Sequence, residues 1–361
     1  MKPDRFSKPV RFEILNIINT IYMNILVTGG IGYIGSHTVV ELMNRGHNPI
    51  IIDNLVNSDI EVVDRIEKIT GKRPIFEKVE MCNFDEMHSF FSKYPKIDAV
   101  IHFAGILLVN ESVDEPLMYY NNNLASTVNL LKCMKEFKID NIVFSSSCTV
   151  YGEPDTLPVD EFAPVKPAMS PYGNTKKICE DILVDTTKVT DIRCIALRYF
   201  NPIGAHETAL IGEFQDGPPH HLVPYITETA MGIREKLRVF GSDYNTPDGT
   251  CLRDYIHVVD VATAHINAID RLIEKRSDKD FEVFNLGVGV GISVLDMIKA
   301  FEKATGIAIK YELVPRRAGD VEAVYADTSL ANKELNWKAE RPLEEMMRSA
   351  WEWEKALAKE K

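Results

Sequence analysis

Short, near-continuous apolar runs alternate along the chain with longer stretches in which apolar residues return every three to four positions. Asn24–Thr28, Pro49–Asp53, Pro74–Val79, Ile97–Phe103, Asn141–Phe144 and Ile192–Leu197 are runs of the first kind and predict buried strands. The helical period predicts helices running to about Arg45, over Phe84–Tyr94 and over Pro116–Phe137, with another opening at Ser170-Pro171. Ser caps helices well and Pro suits a first turn, so the last of these has a marked start. After Asn201 the texture changes. Gly204–Pro219 and Asp243–Arg253 are polar loops, among helical patterns at Leu222–Arg234, up to about Glu274, at Val294–Thr305 and at Leu343 to about Lys359. Leu237–Phe240, Phe281–Leu286 and Ile309–Leu313 read as strands.

Six or more strands alternating with helices predict an α/β fold with a doubly wound, mostly parallel Rossmann sheet. The organisation expected is a Rossmann domain over residues 23–200 and a smaller C-terminal α/β substrate lobe over 201–361, parts of which return to the first sheet. Residues 1–22 form an extension, read as disordered or as preceding a true start at Met23. Its apolar stretch is broken by Glu13, Asn16, Asn19 and Thr20, which speaks against a secretory signal.

The first strand runs into Thr28-Gly29-Gly30-Ile31-Gly32-Tyr33-Ile34-Gly35. Glycines at 29, 32 and 35 give a tight turn, a close backbone approach and close helix–strand packing. The helix that follows presents free N–H groups and its positive end to a pyrophosphate. Asp53 ends the second strand about 20 residues on, where a carboxylate accepts from a ribose diol. An acid there repels a 2′-phosphate, so NAD is expected rather than NADP. His102-Phe103-Ala104-Gly105 ends another strand with small residues on the same carboxyl edge.

Composition narrows the partners. The net charge is -12, without the basic footprint of a nucleic-acid binder. No run of about 18 apolar residues suggests a membrane span. The six cysteines form no CxxC pair and have no zinc-like spacing, so no metal site is expected and free thiols in a reducing compartment are.

Tyr172 and Lys176 lie four residues apart on the helix that Ser170 opens, hence on one face. An ammonium beside a phenol favours the phenolate, so Tyr172 is expected to have a lowered pKa and to shuttle a proton near neutral pH. Ser147, just past the strand that begins at Asn141, adds a hydroxyl. Beside a nicotinamide, such a set suits removing a proton from an alcohol while its carbon gives up hydride.

The motifs TGGxGYIGSH (Thr28–His37), DNL (Asp53–Leu55), HFAG (His102–Gly105), SSSxTVYG (Ser145–Gly152), SPYG with Lys176, RYFNPxGAH (Arg198–His206) and RDYIHV (Arg253–Val258) together resemble the UDP-glucose 4-epimerases, a family of the extended short-chain dehydrogenase/reductases. The resemblance runs from Met23 to about Trp353. It implies a cytoplasmic homodimer holding NAD and interconverting UDP-hexoses, with Tyr172, Lys176 and Ser147 catalytic. Tyr172 would take the proton of the sugar 4-OH while the C4 hydride passes to NAD, and a 4-keto sugar would turn over before hydride returns. Cofactor contacts would come from Gly29, Gly32, Tyr33, Ile34, Gly35, Asp53, Asn54, Glu80, Phe103, Ala104, Gly105, Asn122, Ser145, Tyr172, Lys176 and Tyr199. Substrate contacts would come from Ser147, Tyr172, Phe200, Asn201, His221, Leu222, Val239, Phe240, Arg253, Arg317, Asp320 and Val324.

The chain departs from the family at several of these positions. Leu107 stands where a lysine often reaches the cofactor, and Glu80 where an Asp is common. His220-His221-Leu222 replaces Asn-Asn-Leu, which brings a group that titrates near neutrality. Val324 replaces a bulky Tyr and predicts room for a 2-acetamido group, so UDP-GlcNAc and UDP-GalNAc are candidate substrates as well. A 4,6-dehydratase would need Asp-Glu where Cys148-Thr149 stand. A UDP-glucuronate epimerase or decarboxylase remains an alternative, as does a non-enzymatic NAD-binding protein.

Overall fold

The computed structural model describes residues 22–214, 217–317 and 320–360. The expectation for the N-terminal extension lies, Tyr22 apart, outside them. The first half runs β1 (Asn24–Thr28), α1 (Tyr33–Asn44), β2 (Asn48–Asp53), α2 (Glu61–Thr70), β3 (Ile75–Lys78), α3 (Phe84–Lys93), β4 (Ala99–His102), α4 (Val109–Asp114), α5 (Pro116–Phe137), β5 (Asn141–Ser147), α6 (Pro171–Thr187) and β6 (Arg193–Tyr199). The second runs β7 (Asn201–Ile203), α7 (Leu222–Ala230), β8 (Leu237–Phe240), β9 (Leu252–Arg253), β10 (Tyr255–His257), α8 (Val258–Ile273), β11 (Phe281–Leu286), β12 (Ile292–Ser293), α9 (Val294–Thr305), β13 (Tyr311–Val314), β14 (Ala323–Val324), α10 (Ser329–Glu334) and α11 (Leu343–Glu360).

Seven strands form one sheet in the order β11-β6-β5-β4-β1-β2-β3, every pair parallel. The order reverses between β1 and β4, and such a switch point opens a crevice at the strands' carboxyl ends. Successive side chains of a strand point to opposite faces, so Ile25 and Val27 pack with α1 and α8 while Leu26 packs with α3 and α5. Each such fully buried aliphatic side chain contributes about 1.5–3 kcal/mol. A second core joins β8, α7, α9 and α11.

The sequence pattern missed α2 and α4. α2 carries a short apolar stripe, Val62, Val63, Ile66 and Ile69, that the sequence pattern left unread, whereas α4 buries only Ser112 and offers no stripe. β11 pairs with β6 from Phe281↔Cys194 to Leu286↔Tyr199, so this late strand completes the first sheet. α8 packs on the same sheet, with Ile256, Val261, Ile266 and Ile269 in its core.

Candidate active site

The crevice is built on main chain at one end. Gly29 has φ 66°, and its N–H donates to Ile52 O at 2.8 Å. A Cβ on Gly35 would stand 2.2 Å from Gly29 O, so the helix closes on the turn only without a side chain. α1 starts after Gly32 with no side-chain cap, which leaves first-turn N–H groups for an anion. Ile34 follows in that first turn. Tyr33 spends its hydroxyl on Gly204 O at 2.6 Å, which ties the turn to the second half of the chain. Above the turn, Gly32, Tyr33, Ser36, Asn57, Ser58 and Arg65 line a crevice.

Asp53 ends β2, buried, with Oδ1 accepting from Leu55 N at 3.0 Å and Ser58 Oγ at 2.8 Å. Burial raises its pKa while these donors oppose the rise. Asn54 Nδ2 donates to Glu80 Oε2 at 2.9 Å, so the two predicted neighbours are joined. The Phe103–Gly105 turn meets the glycine turn, with Ala104 N donating to Thr28 O at 3.1 Å. Phe103 stacks against His265 at 4.6 Å. The helix N-terminus, the carboxylate at the end of β2 and the small-residue turn form a donor set that fits a dinucleotide.

At the carboxyl end of β5, Ser147 and Tyr172 come together. The Ser147 hydroxyl accepts from Thr149 N at 3.2 Å and Thr149 Oγ1 at 3.0 Å, and it stands beside the phenol, whose pKa it holds down. Ser170 caps α6 by accepting from Gly173 N at 3.1 Å. Lys176 is buried, donates to Ser145 O at 2.8 Å, and stands 5.9 Å from the Tyr172 ring centre. Ser145 Oγ pairs with the Tyr199 hydroxyl.

The acidic phenol expected from the Tyr/Lys spacing is corrected here. Burial drives the Tyr172 pKa well above its usual value, Tyr199 adds to the rise, and Ser147 opposes it. Burial likewise lowers Lys176 to about 8, with Cys179 and Glu180 opposing. The reason is desolvation: a dry pocket penalises both charged forms more than their mutual attraction helps, and the ammonium is turned to a carbonyl. In this state Tyr172 is a protonated phenol.

The second half contributes side chains. Arg317 Nη2 donates to Asp320 Oδ1 at 2.7 Å, and Arg253 Nη2 lies 4.0 Å from the same oxygen. β14 pairs with β9 so that Val324 sits opposite Arg253. Val324, Cys148 and Phe200 pack in one small cluster with Tyr151 and Ala326. Tyr325 turns its ring onto Gly291. Asn201 Nδ2 donates to Asp254 O at 2.9 Å. Phe240 lies under Arg317, its ring centre 5.8 Å from the guanidinium. Val239 is fully buried in the second core, so its place is beneath the site rather than in its lining. Leu222 begins α7, and His221 before it pairs with Glu213 at 2.5 Å.

Three features escaped the sequence reading. Asn123, rather than the half-buried Asn122, holds the turn after β4: it accepts from Ile106 N at 2.9 Å and donates to Thr175 Oγ1 at 3.0 Å. Helical spacing from the buried Tyr119 could have singled it out within Asn121-Asn122-Asn123. Asn57 and Ser58 stand on a loop with no motif. The Tyr244 hydroxyl is buried without a partner among the described residues, near Arg253 and Asp320. Among the described residues no three groups could hold a metal ion, and no helix is long and apolar enough to cross a membrane.

A glycine turn at the switch point of a doubly wound sheet, with Ser, Tyr and Lys beside it, defines a dinucleotide-dependent protein of the short-chain dehydrogenase/reductase kind. A family model described as GDP-mannose 4,6 dehydratase matches residues 26–350. The UDP-glucose 4-epimerase of Haemophilus influenzae is 50% identical over 334 residues, which span 92% of this chain and 98% of that one. A UDP-glucose-4-epimerase structure from Stenotrophomonas maltophila, with bound NAD and formylated UDP-arabinopyranose, superposes with a TM-score of 0.91 at 46% identity, covering 94% of this chain and 100% of that one. One from Bifidobacterium longum, in complex with NAD+ and UDP, gives 0.87 at 46%, covering 92% and 98%. The chain belongs to the family that the dehydratase model describes and, within it, to the UDP-glucose 4-epimerases.

Proposed function

We propose that Tyr172, Ser147 and Lys176 carry the NAD-dependent 4-epimerisation of a UDP-hexose in this protein. The observation that carries this reading is the meeting of Ser147 and Tyr172 between a main-chain-built cofactor crevice and the Arg253–Asp320–Arg317 group. Gly29, Gly32, Tyr33, Ile34 and Gly35 would receive the pyrophosphate of NAD, and Asp53, with Asn54 and Glu80 beside it, the adenosine end. Phe103, Ala104, Gly105, Asn122, Ser145, Tyr199 and Lys176 would border the nicotinamide half. When bound, oxidised NAD supplies a hydride acceptor and a positive charge that favours the phenolate.

Tyr172 then moves a proton at the sugar 4-oxygen, Ser147 hydrogen-bonds that oxygen, and Lys176 braces the strand end through Ser145 O. Burial of the pair excludes water from a 4-keto sugar. Arg253 and Arg317 bind diphosphate oxygens, since guanidinium offers paired donors. Asp320 accepts from the ribose, while Phe200, Asn201, His221, Leu222 and Phe240 border the uridine and sugar.

The small side chain of Val324, packed with Cys148 and Phe200, supports UDP-GlcNAc and UDP-GalNAc as further substrates. A Campylobacter jejuni structure described as a UDP-Glc/GlcNAc 4-epimerase is similar, at 35% identity and a TM-score of 0.80. A dehydratase reading lacks the acid/base pair, because Cys148-Thr149 follow Ser147. The exposed apolar residues Val109, Val113, Leu117 and Met118 on α4 and α5 support a homodimer, checked by light scattering. Six free cysteines suit the cytoplasm.

The test is incubation of purified protein with UDP-galactose, without added cofactor. UDP-glucose is the expected product, and absence of turnover from protein loaded with NAD would overturn the reading.

A further inference from the structure

Three serines end β5, and each is held differently. Lys176 donates to Ser145 O at 2.8 Å, Ser147 faces Tyr172, and between them Ser146 Oγ donates to Glu180 Oε1 at 2.5 Å. Glu180 is gripped in turn by Arg198, through Nε to Oε1 at 2.9 Å and Nη2 to Oε2 at 2.5 Å. Ser146, Glu180 and Arg198 are all buried. Tyr172, Lys176 and Glu180 recur at four-residue intervals on α6, so phenol, ammonium and carboxylate descend one helix face.

A buried ion pair loses hydration that its attraction barely repays, and an apolar pair of equal volume often serves stability as well. The pair stands where it touches both elements of the reacting group. Arg198 on β6 also lies over the Tyr151 ring at 4.8 Å, and Tyr151 hydroxyl donates to Asn285 Oδ1 at 2.7 Å. Asn285 Nδ2 donates to Val159 O at 2.9 Å, and Val159 bridges to Ala326, two residues beyond Val324. One polar chain thus runs from the helix of Tyr172 to the wall of the sugar pocket.

We infer that Glu180, clamped by Arg198, is a positioning residue: it fixes the end of β5, and with it Ser147, against the α6 face carrying Tyr172 and Lys176, and sets a negative charge one turn from that ammonium. The inference rests on the epimerase reading above. Lys176 faces Tyr172, Cys179 and Glu180 on its own helix and His102 on β4. Of these, burial apart, Cys179 and Glu180 hold its pKa up.

Glu180→Asp and Glu180→Gln separate reach from charge. Turnover of UDP-galactose by the wild type is measured first, and its absence would be a failure of the epimerase reading alone. Glu180→Asp keeps the charge and loses the reach. Its kcat should fall about tenfold or more with KM little changed, since small misplacements cost that much. The alkaline limb of its pH profile should stay in place. Glu180→Gln keeps the reach and loses the charge, so its alkaline limb should move to lower pH as Lys176 loses a negative neighbour. If the unpaired Arg198 prevents folding, Glu180→Gln with Arg198→Met removes both charges and is read in the same way. Ser146→Ala, which cuts only the serine link, should lower kcat without changing bound NAD, followed by absorbance. Wild-type kcat in Glu180→Asp and Ser146→Ala, or an unmoved limb in the charge-free variant, would overturn the inference.

Discussion

The two ends of the crevice are made of different material. At the cofactor end, a single turn between β1 and α1 supplies main-chain N–H groups, and a missing side chain lets the helix close. At the other end, Arg253, Arg317, Asp320 and Val324 come from β9, β14 and the loop between β13 and β14. The first end is specified by what is absent from a few adjacent residues, the second by charges assembled over some distance in sequence. Damage at the first should therefore be steric and all-or-none, and damage at the second graded.

The largest effect tests the group where the two ends meet. Tyr172→Phe removes the proposed proton shuttle and should lower kcat by about 10²–10⁴ or more, with NAD still bound, as read by turnover and cofactor absorbance. Retained turnover would break the assignment. Gly35→Ala drives a methyl into Gly29 O and should cost about 1–3 kcal/mol of stability, with loss of bound NAD, by thermal melt and absorbance. A variant that kept its cofactor would erase the contrast in material.

Arg253→Ala and Arg317→Ala should each weaken UDP binding by about tenfold or more, by calorimetry. Arg317 is the more exposed, so its loss should be the smaller. Val324→Tyr should abolish turnover of UDP-GlcNAc while sparing UDP-galactose. Equal activity of both proteins on the acetylated sugar would remove the pocket argument.

The smallest effect concerns His221. Partial burial pulls its pKa down, but the hydrogen bond and charge of Glu213 outweigh that and hold it above the ordinary value. A raised pKa means that the pair's contribution is full below about pH 6.5 and fades as pH rises through the raised pKa. KM for the UDP-sugar should rise modestly over that window, and His221→Asn should flatten the dependence.

How far the sequence reached differs between the two ends. The turn at Gly29–Gly35, Asp53 and the capped Tyr172/Lys176 helix were legible because each is local, with spacing fixed by a strand end or a helical turn. The short helix α4 was not, since it presents no apolar stripe, and α2 was passed over although Val62, Val63, Ile66 and Ile69 line one face of it. Arg253, Arg317 and Asp320 could be marked only through the family resemblance, because no local rule brings them to one carboxylate. The bond from Asn123 to Thr175 needed a partner from another helix.

By itself, the sequence determined the alternation of the longer strands and helices, the glycine turn and the spacing of Tyr172 and Lys176, since periodicity and backbone sterics act over a few residues. Only the tertiary structure decided that β11 closes the sheet, that Glu180 and Arg198 meet beneath Ser146, and that Tyr172 rests as a neutral phenol. These depend on exclusion of water by residues distant in the chain, and the cost of a charge in such a place cannot be read from spacing.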